Sequence, residues 1–114
     1  MHIVVRAFPV LAGKECELRE LIGTLRGARS DEADAFFRGY GLVRESWYRQ
    51  LTPSGEWVIV CSEVGEVEAA AETYAASEHP FDRWFKTRVK AVTGVDPDKQ
   101  PLGPPTELVY EWRS

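Results

Sequence analysis

One stretch, YAASEHPFDRWFK at residues 74–86, packs a histidine, acids, a tyrosine, a tryptophan and further rings into thirteen positions. His79 is the candidate catalytic base, because an imidazole titrates near neutrality and can take a proton at physiological pH. Tyr74, Trp84 and Phe85 surround it in sequence, with the aromatic character of a small-molecule pocket wall. The same stretch also reads as helix punctuation. Pro80 suits the first helical position, and the Asp82 carboxylate suits the positive end of the helix dipole. Trp84 and Phe85 lie on the apolar stripe of that helix, where they can pack a core or wall a pocket.

A second aromatic group, Trp47, Tyr48 and Trp57, sits in a pair of β-rich segments. Trp47 and Tyr48 are adjacent, so they point to opposite faces of a strand. One of them, with Trp57, is a candidate for flanking a cleft between sheet and helices; cross-strand aromatic packing is the alternative. Arg6, within the first strand, is a candidate to steady a substrate anion, or to fix assembly through a buried contact with Glu63. The candidate ligand-binding set is thus Tyr74, Trp84, Phe85, Trp47, Tyr48, Trp57 and Arg6.

Other chemistries find no foothold. The chain has two histidines and two cysteines, Cys16 and Cys61, without CxxC spacing, so neither a metal site nor a disulfide is expected. Nucleotide-binding and hydrolase signatures are absent, and no cofactor is expected. With 14 basic against 18 acidic residues, the net charge of −4 opposes the phosphate neutralisation that nucleic-acid binding requires. No apolar run reaches the roughly 18 residues of a membrane span. The start, MHIVVRAFPV, lacks the basic flank and cleavage site of a signal peptide, which implies a cytoplasmic protein.

The positioning elements follow from periodicity. The 114 residues form a single domain, 1–114. HIVVRAF reads as a strand. Leu18, Leu21, Ile22 and Leu25 trace one face of a helix stopped by Gly27. Ala33, Phe36, Phe37 and Tyr40 give a second helix. LVRESWYRQL and EWVIVCSEV form a hairpin across TPSG. Two more helical stripes run through Val67–Tyr74 and Phe81–Val92, followed by the Pro-rich arm DPDKQPLGPP and a last strand, TELVYEW. This order predicts an α+β, ferredoxin-like split βαβ domain: a four-stranded antiparallel sheet with its helices on one face.

Helices cover only one face of such a sheet, yet both alternating sets of strand residues are rich in apolar side chains. The set containing Val4, Arg6, Phe8, Val58, Val60 and Val109 is half apolar and half charged. It is expected to meet a second copy of the chain, with Arg6 pairing to Glu107, Glu111 or Glu45, giving a homodimer through the sheet faces.

The segments LAGKECELRELI and AAAETYAASEHPFDRWF, in this order of elements, resemble the dimeric α/β barrel superfamily. Its small members include antibiotic-biosynthesis monooxygenases, haem-degrading enzymes and stress-responsive proteins. The motif PFDxWF at 80–85 and TGVD at 93–96 are most similar to an uncharacterised group within it. In the monooxygenase-like members a histidine, a hydroxyl residue and a second histidine follow the third strand. Tyr74, Ser77 and His79 stand at those positions here. The haem-binding positions read Arg6-Ala7-Phe8 and Ser62-Glu63-Val64, so the resemblance does not extend to haem. It implies a cofactor-independent monooxygenase-like enzyme acting on an aromatic or polyketide-like molecule. The alternative is a non-catalytic homodimer that binds a small aromatic ligand or serves a stress response.

Overall fold

The hairpin expected at the centre of the sequence is also the centre of the fold. In the computed structural model, which describes residues 1–114, β2 (Leu42–Thr52) and β3 (Gly55–Val64) pair antiparallel from Thr52↔Gly55, turning on Pro53 and Ser54 alone. Gly55, at φ 131°, supplies a backbone conformation closed to most side chains, and the Thr52 hydroxyl donates to its carbonyl at 2.9 Å. β1 (His2–Pro9) pairs antiparallel with the other edge of β3, giving the order β1-β3-β2.

Four helices cover one face: α1 (Glu15–Arg26), α2 (Ser30–Gly39), α3 (Val67–Ala76) and α4 (Pro80–Thr93). The architecture is α+β, and this element order and sheet are compatible with a ferredoxin-like arrangement. Helix ends fall where local chemistry sets them. Pro80 opens α4, and Gly94, at φ 75°, ends it while donating its N–H to the Lys90 carbonyl at 2.8 Å.

The core is strongly aromatic. Phe36 of α2 sits at its middle, with ring centroids 5.2 Å from Tyr40, 5.6 Å from Tyr74, 5.8 Å from Phe81 and 5.2 Å from Phe85. The tilted and edge-on geometries suit the ring quadrupoles. A second cluster of Val10, Leu18, Val58 and Val92 ties the start of α1 and the end of α4 to the sheet.

The structure reverses the expected use of the two sheet faces. Val4, Phe8, Val58 and Val60 face the helices, and Arg6 and Glu45 belong to that same inner set. Ile3, Val5 and Ala7, with Trp57, Ile59 and Tyr48, form the open face, where Ile3 is 67% and Tyr48 58% exposed. The set that carries the charges has gone to the helices, and the uncharged run of Ile3, Val5 and Ala7 is left on the open face. The ion pairs expected for Arg6 and Glu45 on an outer face therefore do not apply.

The end of the chain also departs from expectation. Residues 96–105 fold back against the body, where Gly103 meets the Phe8 ring, and residues 107–112 make no ladder bonds. Pro104 and Pro105, which have no N–H to donate, separate the arm from any strand after it.

Replacing Phe36 with alanine removes the ring that joins α2, α3 and α4. Urea unfolding at 25 °C should show a loss of about 3–5 kcal/mol, the range for a buried aromatic truncated to alanine.

Candidate functional site

Between the inner sheet face and the helices lies a cavity of about 70 Å³. Phe8, Val58 and Val60 form its sheet side, and Leu18, Phe85 and Val92 its helix side. The arm closes it through Pro97, Gln100, Pro101 and Leu102. That closure depends on two glycines with positive φ, Gly94 at 75° and Gly103 at 93°. At Gly103 the Phe8 ring lies so close that a Cβ would overlap it, with Cε1 at 2.9 Å. Asp96 folds the arm on itself, its carbonyl accepting the N–H groups of Lys99 at 3.1 Å and Gln100 at 2.9 Å.

One end of this apolar space is polar. Glu45 of β2 stands opposite Ser62 of β3, and the Ser62 hydroxyl donates to its carboxylate. Trp47, two residues along β2 and therefore on the same face, donates its indole N–H to Glu45 Oε2 at 3.1 Å. Burial raises the Glu45 carboxyl above the usual carboxylate range, and the two donated hydrogen bonds oppose that rise. Tyr40 and Tyr74 line the same cavity, with ring centroids 5.1 Å apart at 84°. Burial pushes both phenols up, and the nearby Glu45 charge pushes them further. Neither hydroxyl makes a hydrogen bond to another protein group, and neither is sealed from open space. A carboxyl with a raised pKa and two neutral phenols in an apolar chamber can exchange a proton with a bound molecule and hold the resulting charge.

The sequence-derived candidates divide. Tyr74, Trp47 and Phe85 line the cavity. Tyr48 and Trp57 lie on the open sheet face. Trp84 packs outside the cavity beneath the Arg29 guanidinium, 4.6 Å from its ring, and against Phe81 at 5.5 Å. Arg6 stands at the β1 edge, its Nη1 donating to Thr106 Oγ1 at 2.7 Å, while its buried Nε has no partner. His79 is exposed in a separate groove beside Glu72, Glu78 and Asp82. Around it the chain is organised as a helix entrance: Ser77 donates to the Asp82 carboxylate, and Lys86 Nζ donates to the Ser77 carbonyl at 2.8 Å. His79 and the cavity are thus brought to different sides of the helical layer.

Glu45, Ser62 and Tyr40 were not singled out by residue type. The two-residue turn held the signal, because pairing Thr52 with Gly55 forces Glu45 opposite Ser62 and Trp47 opposite Val60. No group of His, Cys, Asp or Glu side chains is arranged to hold a metal ion. No helix is long and apolar enough to cross a membrane.

Residues 1–111 fit the family model DUF6176, described as a family of unknown function. No curated protein matches the chain, and no solved structure does.

The raised Glu45 pKa has a definite consequence for stability. Between its unfolded and folded pKa values the folded state binds more protons, so stability falls as pH rises through that window. Unfolding titrations between pH 4 and 8 should show this decline in the natural chain relative to a Glu45→Gln variant, which has no such group to ionise.

Proposed function

The chain belongs to DUF6176, a family without an assigned activity, and we propose from its cavity that it binds a small, flat, largely apolar molecule carrying one protic group. The observation supporting this reading is the combination of an apolar chamber with a single buried carboxyl at its end. The walls select by shape and lack of polarity, and Glu45 accepts a hydrogen bond from a phenol, enol or amine. As closed, the chamber has room for a few water molecules. A ring-sized ligand enters when the arm between Gly94 and Gly103 lifts from Phe8 and Leu18.

A catalytic reading rests on the same group. In it Glu45, rather than His79, takes a proton from a phenolic oxygen or a carbon next to a carbonyl, and Tyr40 and Tyr74 hydrogen-bond the anion. The raised Glu45 pKa favours this, since a base poised nearer neutrality transfers protons more effectively. It is the first step that a cofactor-independent, monooxygenase-like reaction on an aromatic substrate requires. The reading also includes a fourth strand that completes the ferredoxin-like sheet, and a homodimer through the open faces, where Ile3, Val5 and Tyr48 are exposed.

Thermal shift and calorimetric titrations with phenol, indole and 1-naphthol test the binding site. The natural chain should show saturable stabilisation by at least one probe. Glu45→Gln should weaken binding of the hydroxylated probes roughly tenfold, the loss of one charge-assisted hydrogen bond. Val89→Phe, which fills the chamber from α4, should abolish the shift. Equal binding in all three proteins would remove the cavity as the site.

A further inference from the structure

The chain ends in a segment with the composition of a strand and no sheet around it. Leu108, Val109, Tyr110 and Trp112 are between 73% and 84% exposed. Alternation puts Leu108, Tyr110 and Trp112 on one side and Val109, between Glu107 and Glu111, on the other. Four large apolar side chains in seven residues are a poor fit to water, and the β-branched and aromatic content favours a pleated partner.

A vacant partner surface exists on the same molecule. β1 pairs with β3 along one edge only, so its other edge presents backbone donors and acceptors with no ladder partner. Beside that edge, Ile3 is 67% and Val5 43% exposed. Hydrogen bonds between the tail and the body stop at Thr106, whose hydroxyl donates to the Val5 carbonyl at 2.6 Å. This anchor lies halfway along β1. A strand continuing antiparallel from it would reach His2, where β1 begins, after about three residues and leave Tyr110, Glu111 and Trp112 without ladder partners. Residues 107–112 span about 20 Å when extended, enough to follow most of a complete β1 edge.

We propose that residues 107–112 of each chain cross to a second copy and add as a strand to the free β1 edge of its sheet. The exchange is mutual under a twofold axis, so a single operation pairs both edges and covers the apolar side chains of both tails. The fourth strand of the sheet is then supplied by the other molecule. This inference rests on the homodimer reading given above and adds which segment makes the dimer.

Analytical ultracentrifugation at 10 μM, on the full chain, a chain ending at Pro105, and a Tyr110→Asp, Trp112→Asp double variant, separates the outcomes. The full chain should sediment as a dimer. Both altered chains should dissociate roughly 100-fold more readily, as expected when central aromatic anchors are lost. Mixed-label NMR of the full chain should show contacts between Val109 or Tyr110 of one molecule and Ile3 or Val5 of the other. A dimer of unchanged affinity in both altered chains would overturn the strand exchange while leaving the homodimer standing. A monomeric full chain would overturn both. Should the shortened chain fail to fold, the double variant decides, because it changes only side chains that are exposed in the single molecule.

Discussion

Withdrawing a carboxyl group from water is the constraint around which the inner layer of this protein is arranged. An unpaired buried carboxylate costs several kcal/mol, and the surrounding groups must offset that or shift the group toward its neutral form. Glu45 receives both treatments: Ser62 and Trp47 donate to it, and its pKa still rises. Its two donors come from the hairpin itself, one across the ladder and one along the same strand. The pairing that builds the sheet thus also satisfies the acid, and no loop has to be held in place to do so.

The aromatic cluster and the arm follow from that placement. Phe36, Tyr40, Tyr74 and Phe85 supply a rigid wall whose rings hold one another at fixed angles. The arm is built differently. It carries neither helix nor strand, turns on Asp96, and meets the body where Phe8 lies against Gly103. Stability therefore belongs to the rings, and access to the chamber belongs to the arm.

Much of the secondary structure was legible from periodicity, since apolar stripes such as Leu18–Leu21 and Phe81–Phe85 have no other simple solution. The stripes of α3 and α4 also drew attention to Tyr74 and Phe85, which line the cavity while His79 lies in a separate groove. His79 attracted notice by residue type and by its place in the resembled motif, and neither carries information about direction. Glu45 was read only as an interface partner for Arg6, because a glutamate within a strand ordinarily faces outward. Alternation also assigned the wrong sheet face to the helices, because both sets are apolar enough to serve. That ambiguity is itself physical, and it is what leaves Ile3 and Val5 uncovered in the single chain.

The alternation along β2 carries one more implication. Glu45 and Trp47 point inward, and their immediate neighbours Ser46 and Tyr48 point outward. The strand is thus a two-sided strip, with an acid and an indole printed on one side and a hydroxyl and a phenol on the other. A change of one residue in the length of the Pro53–Ser54 turn would bring the reverse side into the chamber. One short indel could in this way convert an acidic pocket into a neutral one on the same scaffold, a larger chemical step than any single substitution inside it provides.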